Sequence, residues 1–291
     1  SFPSEVLMQI GPWDVQIVSG GTFRLDGGAM FGTVPKVVWN KLYPADEENQ
    51  ILMATNCLLI RGEVAGRKHV ILVDNGNGDK ETDDFMARFK FEGRGVLDAS
   101  LAKHGVKPED ITLCILTHLH FDHAGGSTRF DGEGRTIPSF PNARYVIQAK
   151  DLADAKRPHL RVKASYLPQN WEPMEAAGLL DTVQGTVELL PGLSVRPAPG
   201  HIEGLQNVVV EGGGRRLVYL ADLIPTARHI QPAWCMGYDL DVVTCVDERV
   251  KLLDEVAGTS TICVFEHDPE IPAGTVGRDA KGKYLVAPVC L

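Results

Sequence analysis

The chain has 291 residues, 44% of them apolar and 23% charged, with a formal net charge of −9. That is ordinary globular usage and excludes a disordered chain, a collagen-like repeat and a coiled-coil rod. No run approaches the ~18 apolar residues of a membrane-spanning helix. The acidic balance argues against a general binder of nucleic acid or of an anionic membrane, either of which needs a basic face.

The chain opens with SFPSEVLMQI, which has no basic segment followed by an apolar core, so no signal peptide is read there. The missing initial Met leaves a trimmed leader open. Short apolar runs bounded by Gly, Pro, Asn or Asp predict strands at DVQIVSG, NCLLIRG, HVILVD, ITLCILT, ARYVIQ, LSVRPA, NVVVEG, RLVYLAD and TICVFEH. Residues 19–55, rich in Gly, Pro and aromatics, read as a loop excursion. Residues 95–104 read as a helix closed by Gly105, and a weaker helix starts near Ala149. Residues 151–185, broken by Pro158, Pro168 and Pro173, read as an inserted cap-like segment. Residues 244–257 predict an amphipathic helix with Val246, Val250, Leu253, Val256 and Ala257 on one side. Strand runs with helices between the later ones predict sheets covered by helices in a single domain, 1–291.

Six cysteines are present and none forms a C-x-x-C pair. Cys57, Cys114 and Cys263 sit inside apolar runs, which predicts buried thiols and a reducing, cytoplasmic setting.

The strongest chemical signal is THLHFDHAGG, residues 117–126, which supplies His118, His120, Asp122 and His123 within six positions. It follows the buried-strand pattern ITLCI, so the motif falls at a strand end and on the turn after it. In an extended run, residues 118, 120 and 122 point the same way. Gly125 and Gly126 permit a tight backbone there. Imidazoles with a carboxylate suit Zn²⁺, Fe²⁺ or Mn²⁺, and no ligand Cys adds a soft-metal preference.

This H-x-H-x-D-H run resembles the metal motif of the metallo-β-lactamase superfamily. The resemblance carries over residue by residue to His201 in PAPGHIEG, Asp222 in LVYLAD, His267 in TICVFEHD and Asp74 in VILVDNG, each at the end of a predicted strand. It implies an αββα sandwich, two mixed sheets flanked by helices, with two divalent ions, zinc first and Mn, Fe or Co as alternatives. His118, His120 and His201 would hold one ion, Asp122, His123 and His267 the other, and Asp222 would bridge them. A hydroxide shared by the ions would attack an ester-like bond, and Asp122 would pass a proton to the leaving group. Asp74 is read as orienting a ligand or turn instead of binding metal.

Within the superfamily, residues 221–241 and 23–44 are similar to the branch of quorum-quenching lactonases and methyl parathion hydrolase. That likeness implies a lactonase of the acyl-homoserine lactone type. Phosphotriester or aryl ester hydrolysis is the alternative, and a weakly active ligand-binding protein that keeps the metal site is a further one. The implied partners are a small ester or lactone and a second copy of the chain in a homodimer, with no nucleic acid and no membrane. Smaller lactonases carry a Tyr shortly after the bridging Asp. Here that stretch reads Leu-Ile-Pro-Thr, so His229 or Tyr238 is the candidate for that role. Phe121, Met30, Phe31, Trp39, Trp234 and Met236 are candidate pocket walls, with plain core packing as the alternative for each.

Overall fold

The computed structural model describes residues 7–291. The reading of SFPSEVLMQI as free of a targeting segment falls largely on residues 1–6, outside that range. The first part of the chain lays down β1 (Met8–Ile10), β2 (Trp13–Asp26), β3 (Gln50–Val64), β4 (Arg67–Val73), β5 (Leu113–Ile115), the small hairpin β6 (Thr128–Phe130) and β7 (Thr136–Pro138), β8 (Arg144–Gln148) and β9 (Leu180–Val183). The second part lays down β10 (Val187–Leu190), β11 (Leu193–Pro197), β12 (Gln206–Gly212), β13 (Arg215–Tyr219), β14 (Ile262–Val264), β15 (Ala273–Arg278) and β16 (Tyr284–Pro288). Among the described residues these form two seven-stranded sheets, ordered β1-β2-β3-β4-β5-β8-β9 and β10 through β16. Both are mixed: β4–β5, β5–β8, β8–β9 and β13–β14 are parallel, and the other pairs antiparallel.

The helices are α1 (Gly27–Phe31), α2 (Lys36–Trp39), α3 (Asp83–Arg88), α4 (Val96–Lys103), α5 (Phe121–Ala124), α6 (Ala149–Lys156), α7 (Glu172–Ala176) and α8 (Val242–Val256). Helices α4 and α6 pack on the first sheet and α8 on the second. Continuous apolar runs suit strands covered on both faces, and Leu58–Ile60, Ile71–Val73, Val208–Val210 and Ile262–Val264 are all buried. One apolar cluster joins the inner faces, from Ile60, Leu72 and Cys114 across to Val208, Leu217 and Val264. The fold is the expected αββα sandwich.

Three local readings are corrected. The loop expected over residues 19–55 is shorter, because β2 runs on to Asp26 and β3 begins at Gln50, leaving 27–49 as the excursion. The paired glycines that made Ser19–Gly21 look like a loop are taken up as a register shift between Ser19 and Thr22. On α8 the buried side is rotated from the expected one. Val250 is exposed, whereas Cys245, Arg249, Leu252, Leu253 and Val256 are buried, the apolar face being interrupted by a buried arginine. The cap-like segment 151–185 is only partly an excursion, since its end returns to the first sheet as β9.

Candidate metal centre

Parallel pairing puts the site together. Val73 of β4 lies opposite Ile115 of β5, and Tyr219 of β13 opposite Val264 of β14, so the chain leaves these strands at matching levels. Asp74, Thr117, Asp222 and His267 follow within three residues of these strand ends. The exits are tight: Asp74 has φ 52° and Ala221 φ 45°, left-handed conformations unusual for residues with a Cβ. His120 caps α5, which carries Asp122 and His123, so the motif turns into a helix at the point where an extended reading would have kept residues 118, 120 and 122 aligned. The two glycines after it are required by close approach. A Cβ on Gly125 would stand 2.1 Å from Asn77 O and one on Gly126 2.2 Å from Asn75 O. Lys80, itself buried, donates to Gly125 O and to Thr128 O and closes the same turn.

The structure brings all seven expected residues to one place, each buried. His118 Nε2 lies 3.0 Å from His120 Nδ1, which lies 3.2 Å from His201 Nε2. His267 Nε2 lies 3.2 Å from His123 Nε2, and Asp122 Oδ2 3.7 Å from His267 Nε2. Asp222 faces both groups, with Oδ2 3.1 Å from His201 Nε2 and Oδ1 3.0 Å from His267 Nε2. Imidazole nitrogens this close, aimed at each other, repel unless a cation or proton lies between them. Asp222 Oδ1 is buried, and His267 Nε2, though 3.0 Å away, makes no well-aligned hydrogen bond to it. This set of nitrogen and carboxylate donors fits divalent metal ions.

The far sides of the rings are held as ligand rings require. His123 Nδ1 lies 2.8 Å from Glu266 Oε2 and 3.1 Å from Asp74 Oδ2. Asp74 also accepts from Thr117 N at 2.7 Å and Thr117 Oγ1 at 2.6 Å. His201 Nδ1 lies 3.0 Å from Asp239 Oδ1, His267 Nδ1 donates to Ala54 O at 2.8 Å, and His118 Nδ1 lies 3.2 Å from Thr117 Oγ1. Burial and mutual repulsion hold His118 and His120 neutral, well below the ordinary imidazole range. Burial also opposes charge on His123 and His267. There the nearby carboxylates outweigh it, chiefly Glu266 for His123 and Asp222 for His267, and His267 is pushed up to about 9.

A cavity of about 450 Å³ opens onto His120, Asp122, His201, Asp222 and His267. Met30, Phe121, Met236 and Tyr238 line it, as do Leu25, Phe85, Phe89 and Val162, with Arg88 and Arg161 among the polar lining. Phe121 meets Phe85 edge-on at 5.4 Å and Phe89 at 5.5 Å. Four expected pocket residues lie elsewhere. Phe31 is fully buried between Trp39 and His229, stacked at 5.2 Å and 4.4 Å. His229 is itself buried, 2.7 Å from Thr226 Oγ1 and 2.8 Å from Met30 O, so its polar atoms are spent on the scaffold. Trp234 meets Phe31 edge-on at 6.0 Å behind the wall. These three residues and Trp39 are packing, because the short helix α1 turns Met30 to the cavity and Phe31 to the interior.

The metallo-β-lactamase superfamily model matches residues 51–259 of the chain. The chain belongs to the metallo-β-lactamase superfamily. Among curated superfamily relatives, an N-acyl homoserine lactonase of Bacillus cereus is 29% identical over 177 residues, 60% of this chain and 62% of that protein. The match therefore spans less than two thirds of the relative. A solved structure described as a probable metal-dependent hydrolase from Staphylococcus aureus is 28% identical, with TM-score 0.84 over 98% of this chain and 100% of that one. A dizinc quorum-quenching lactonase solved in complex with a product shares the fold, at 23% identity and TM-score 0.78 over 99% of this chain and 98% of that one.

Around the superfamily motif, sequence reasoning missed four contributors. Glu266 looked like a polar neighbour of His267. Its signal was a carboxylate placed directly after the buried run TICVF. Phe85 and Phe89 stand four apart in DDFMARF, a helical spacing that places two rings on one face. Asp239 has no local signal, since only the folded chain brings it to His201.

Proposed function

We propose that the protein is a binuclear metal-dependent hydrolase of an ester-like bond, with an acyl-homoserine-type lactone as its substrate. The carrying observation is Asp222, one carboxylate within 3.1 Å of His201 and 3.0 Å of His267 at the floor of an apolar cavity. His118, His120 and His201 would hold one ion and Asp122, His123 and His267 the other, with Asp222 shared and zinc the first expectation. Divalent ions in such a site supply Lewis acidity and a water ionised near neutral pH.

The chain's own residues do the rest. Thr117, Asp239, Glu266 and the Ala54 carbonyl fix the rings from behind. The Asp122 carboxylate faces the cavity, takes up the proton given off by the attacking water and passes it to the leaving oxygen. Tyr238, on the cavity wall and 37% exposed, offers a hydroxyl to the substrate carbonyl. Phe85, Phe89, Phe121 and Met30 exclude water and seat an acyl chain. The lactonase relatives, and a fold neighbour solved with N-hexanoyl-L-homoserine bound at its catalytic metal centre, support a lactone. The three clustered phenylalanines favour a second reading, an aryl ester or phosphotriester with an aromatic leaving group. Val37, Val38 and Leu42, exposed on the excursion 27–49, support the homodimer.

Two measurements test the reading. Metal analysis gives about two ions per chain. A panel of acyl-homoserine lactones, an aryl ester, a phosphotriester and a β-lactam ranks lactones first in kcat/KM. A lead of more than about tenfold for the phosphotriester or the β-lactam would overturn the lactonase assignment.

A further inference from the structure

Beside the metal centre, and unused by the reaction above, lies a buried cluster of Cys235, Asp239 and Cys245, whose sulfur and carboxylate atoms fall within 4.8 Å of one another. Cys235 and Asp239 belong to the loop that carries Met236 and Tyr238 to the cavity, and Cys245 to the first turn of α8. The Cys245 thiol donates to Asp239 Oδ2 at 3.6 Å and the Cys235 thiol to Pro232 O at 3.4 Å. The cluster is packed against the metal centre. A Cβ on Gly200, the residue before His201, would stand 2.4 Å from Cys245 Cα.

Arg249 says what the cluster is for. Its side chain is fully buried, with Nε donating to Leu223 O at 2.6 Å and Nη1 to Trp234 O at 2.7 Å. Nη2 has no hydrogen-bond partner and lies 3.8 Å from Asp239 Oδ2. A buried cation with an unspent N–H is costly unless an anion faces it. Asp239 is already engaged, accepting from Met236 N at 2.9 Å and facing His201 Nδ1. The same cation disfavours a metal ion among these ligands and favours a thiolate. The Cys235 thiol is held below the ordinary range by the Cys245 side chain beside it and by Arg249, against burial, whereas burial pushes Cys57, Cys114 and Cys263 up.

We infer that Cys235 and Cys245 are a reversible dithiol–disulfide pair, a modification site for peroxide-class oxidants, linked through Asp239 to His201. The Cys235 thiolate attacks the peroxide O–O bond. An S–O bond forms, and the leaving hydroxide takes a proton as water. Cys245 sulfur then attacks the Cys235 sulfenic sulfur. The S–S bond forms, the S–O bond breaks, and the Cys245 proton leaves with the oxygen as a second water. Two thiols are oxidised by two electrons and one peroxide is reduced to two waters. The disulfide removes the thiol that donates to Asp239 and staples the loop bearing Met236 and Tyr238 to α8.

The test uses the full chain as purified. Limited hydrogen peroxide, an N-ethylmaleimide quench under denaturing conditions and peptide mapping show a Cys235–Cys245 cross-link, reversed by dithiothreitol. In Cys245→Ser the sulfenic acid at Cys235 is unresolved and dimedone captures it. No dimedone adduct on Cys235 in that variant overturns the pair. So does peroxide that consumes the exposed Cys290 while Cys235 and Cys245 both remain alkylatable. Competition for metal against a chromophoric chelator shows about tenfold weaker retention in the oxidised form, and Cys235→Ala abolishes that response to peroxide. Equal retention in both redox forms overturns the link to His201. None of these readouts is turnover, so they stand or fall separately from the substrate assignment.

Discussion

The two halves of the metal centre meet at Asp222 but are backed differently. Behind His123 stand two buried carboxylates, Glu266 and Asp74, and His267 is tied to a strand carbonyl. Behind the other half stand a hydroxyl at His118 and one carboxylate at His201, and His120 Nε2 has no partner. Outer carboxylates raise the basicity of a ligand ring and fix its orientation. On the proposed two-ion reading, the half built on Asp122, His123 and His267 would therefore be the tighter one, and the half built on His118, His120 and His201 the more exchangeable.

The severest way to break this picture is to remove a ligand. Either His120→Ala or Asp222→Ala costs several orders of magnitude in kcat/KM if, as proposed, the chemistry needs ions in both halves. Retained turnover in Asp222→Ala would show that the halves work independently. Glu266→Gln and Asp239→Asn sharpen the contrast. Each weakens metal binding by about 10–100-fold, the first in the His123 half and the second in the His201 half, read by stepwise chelation with metal analysis. Equal losses at both steps in either variant would erase the distinction.

Stripping the metal tests the carboxylates around His267 through pH. The folded-state value of His267 is raised from 6.5 to about 9 by Asp222 and Glu266 against the cost of burial. Its charged form thus stabilises the metal-free fold fully below pH 6.5, and that stability is lost as pH rises through about 9. The Tm of the stripped protein should fall across that window and that of the loaded protein should not. A flat Tm for the stripped protein would show that Asp222 and Glu266 do not hold His267 charged.

The smallest effects belong to the cavity wall. Phe89→Ala raises KM about tenfold for a long acyl chain and little for a short one, the worth of one apolar side chain. Tyr238→Phe costs a few-fold in kcat/KM, the net value of one hydrogen bond. Phe31→Ala gives the opposite pattern, with stability lost by about 3–5 kcal/mol and acyl-chain preference unchanged. A shift in preference there would return Phe31 to the wall.

What could be read from the chain alone was whatever a local pattern fixes. Alternating and continuous apolar runs marked most central strands, because a strand covered on both faces needs them. The weakly patterned strands β15 and β16, next to the edge and at the edge of the second sheet, carry glycines and exposed positions and left no such mark. The H-x-H-x-D-H run was legible as a donor cluster by itself, and the family resemblance it carries led on to His201, Asp222 and His267. Direction was not legible. Phe31 and Met30 are adjacent, yet one is interior packing and the other cavity wall. Arg249, absent from the apolar side expected for α8, is buried. Glu266 and Asp239 act on ligand rings, but only the joining of the two sheets and the return of the 231–241 loop bring them there. A pattern within a segment determines what that segment must bury; which partner it buries against is decided by packing between segments distant in the chain.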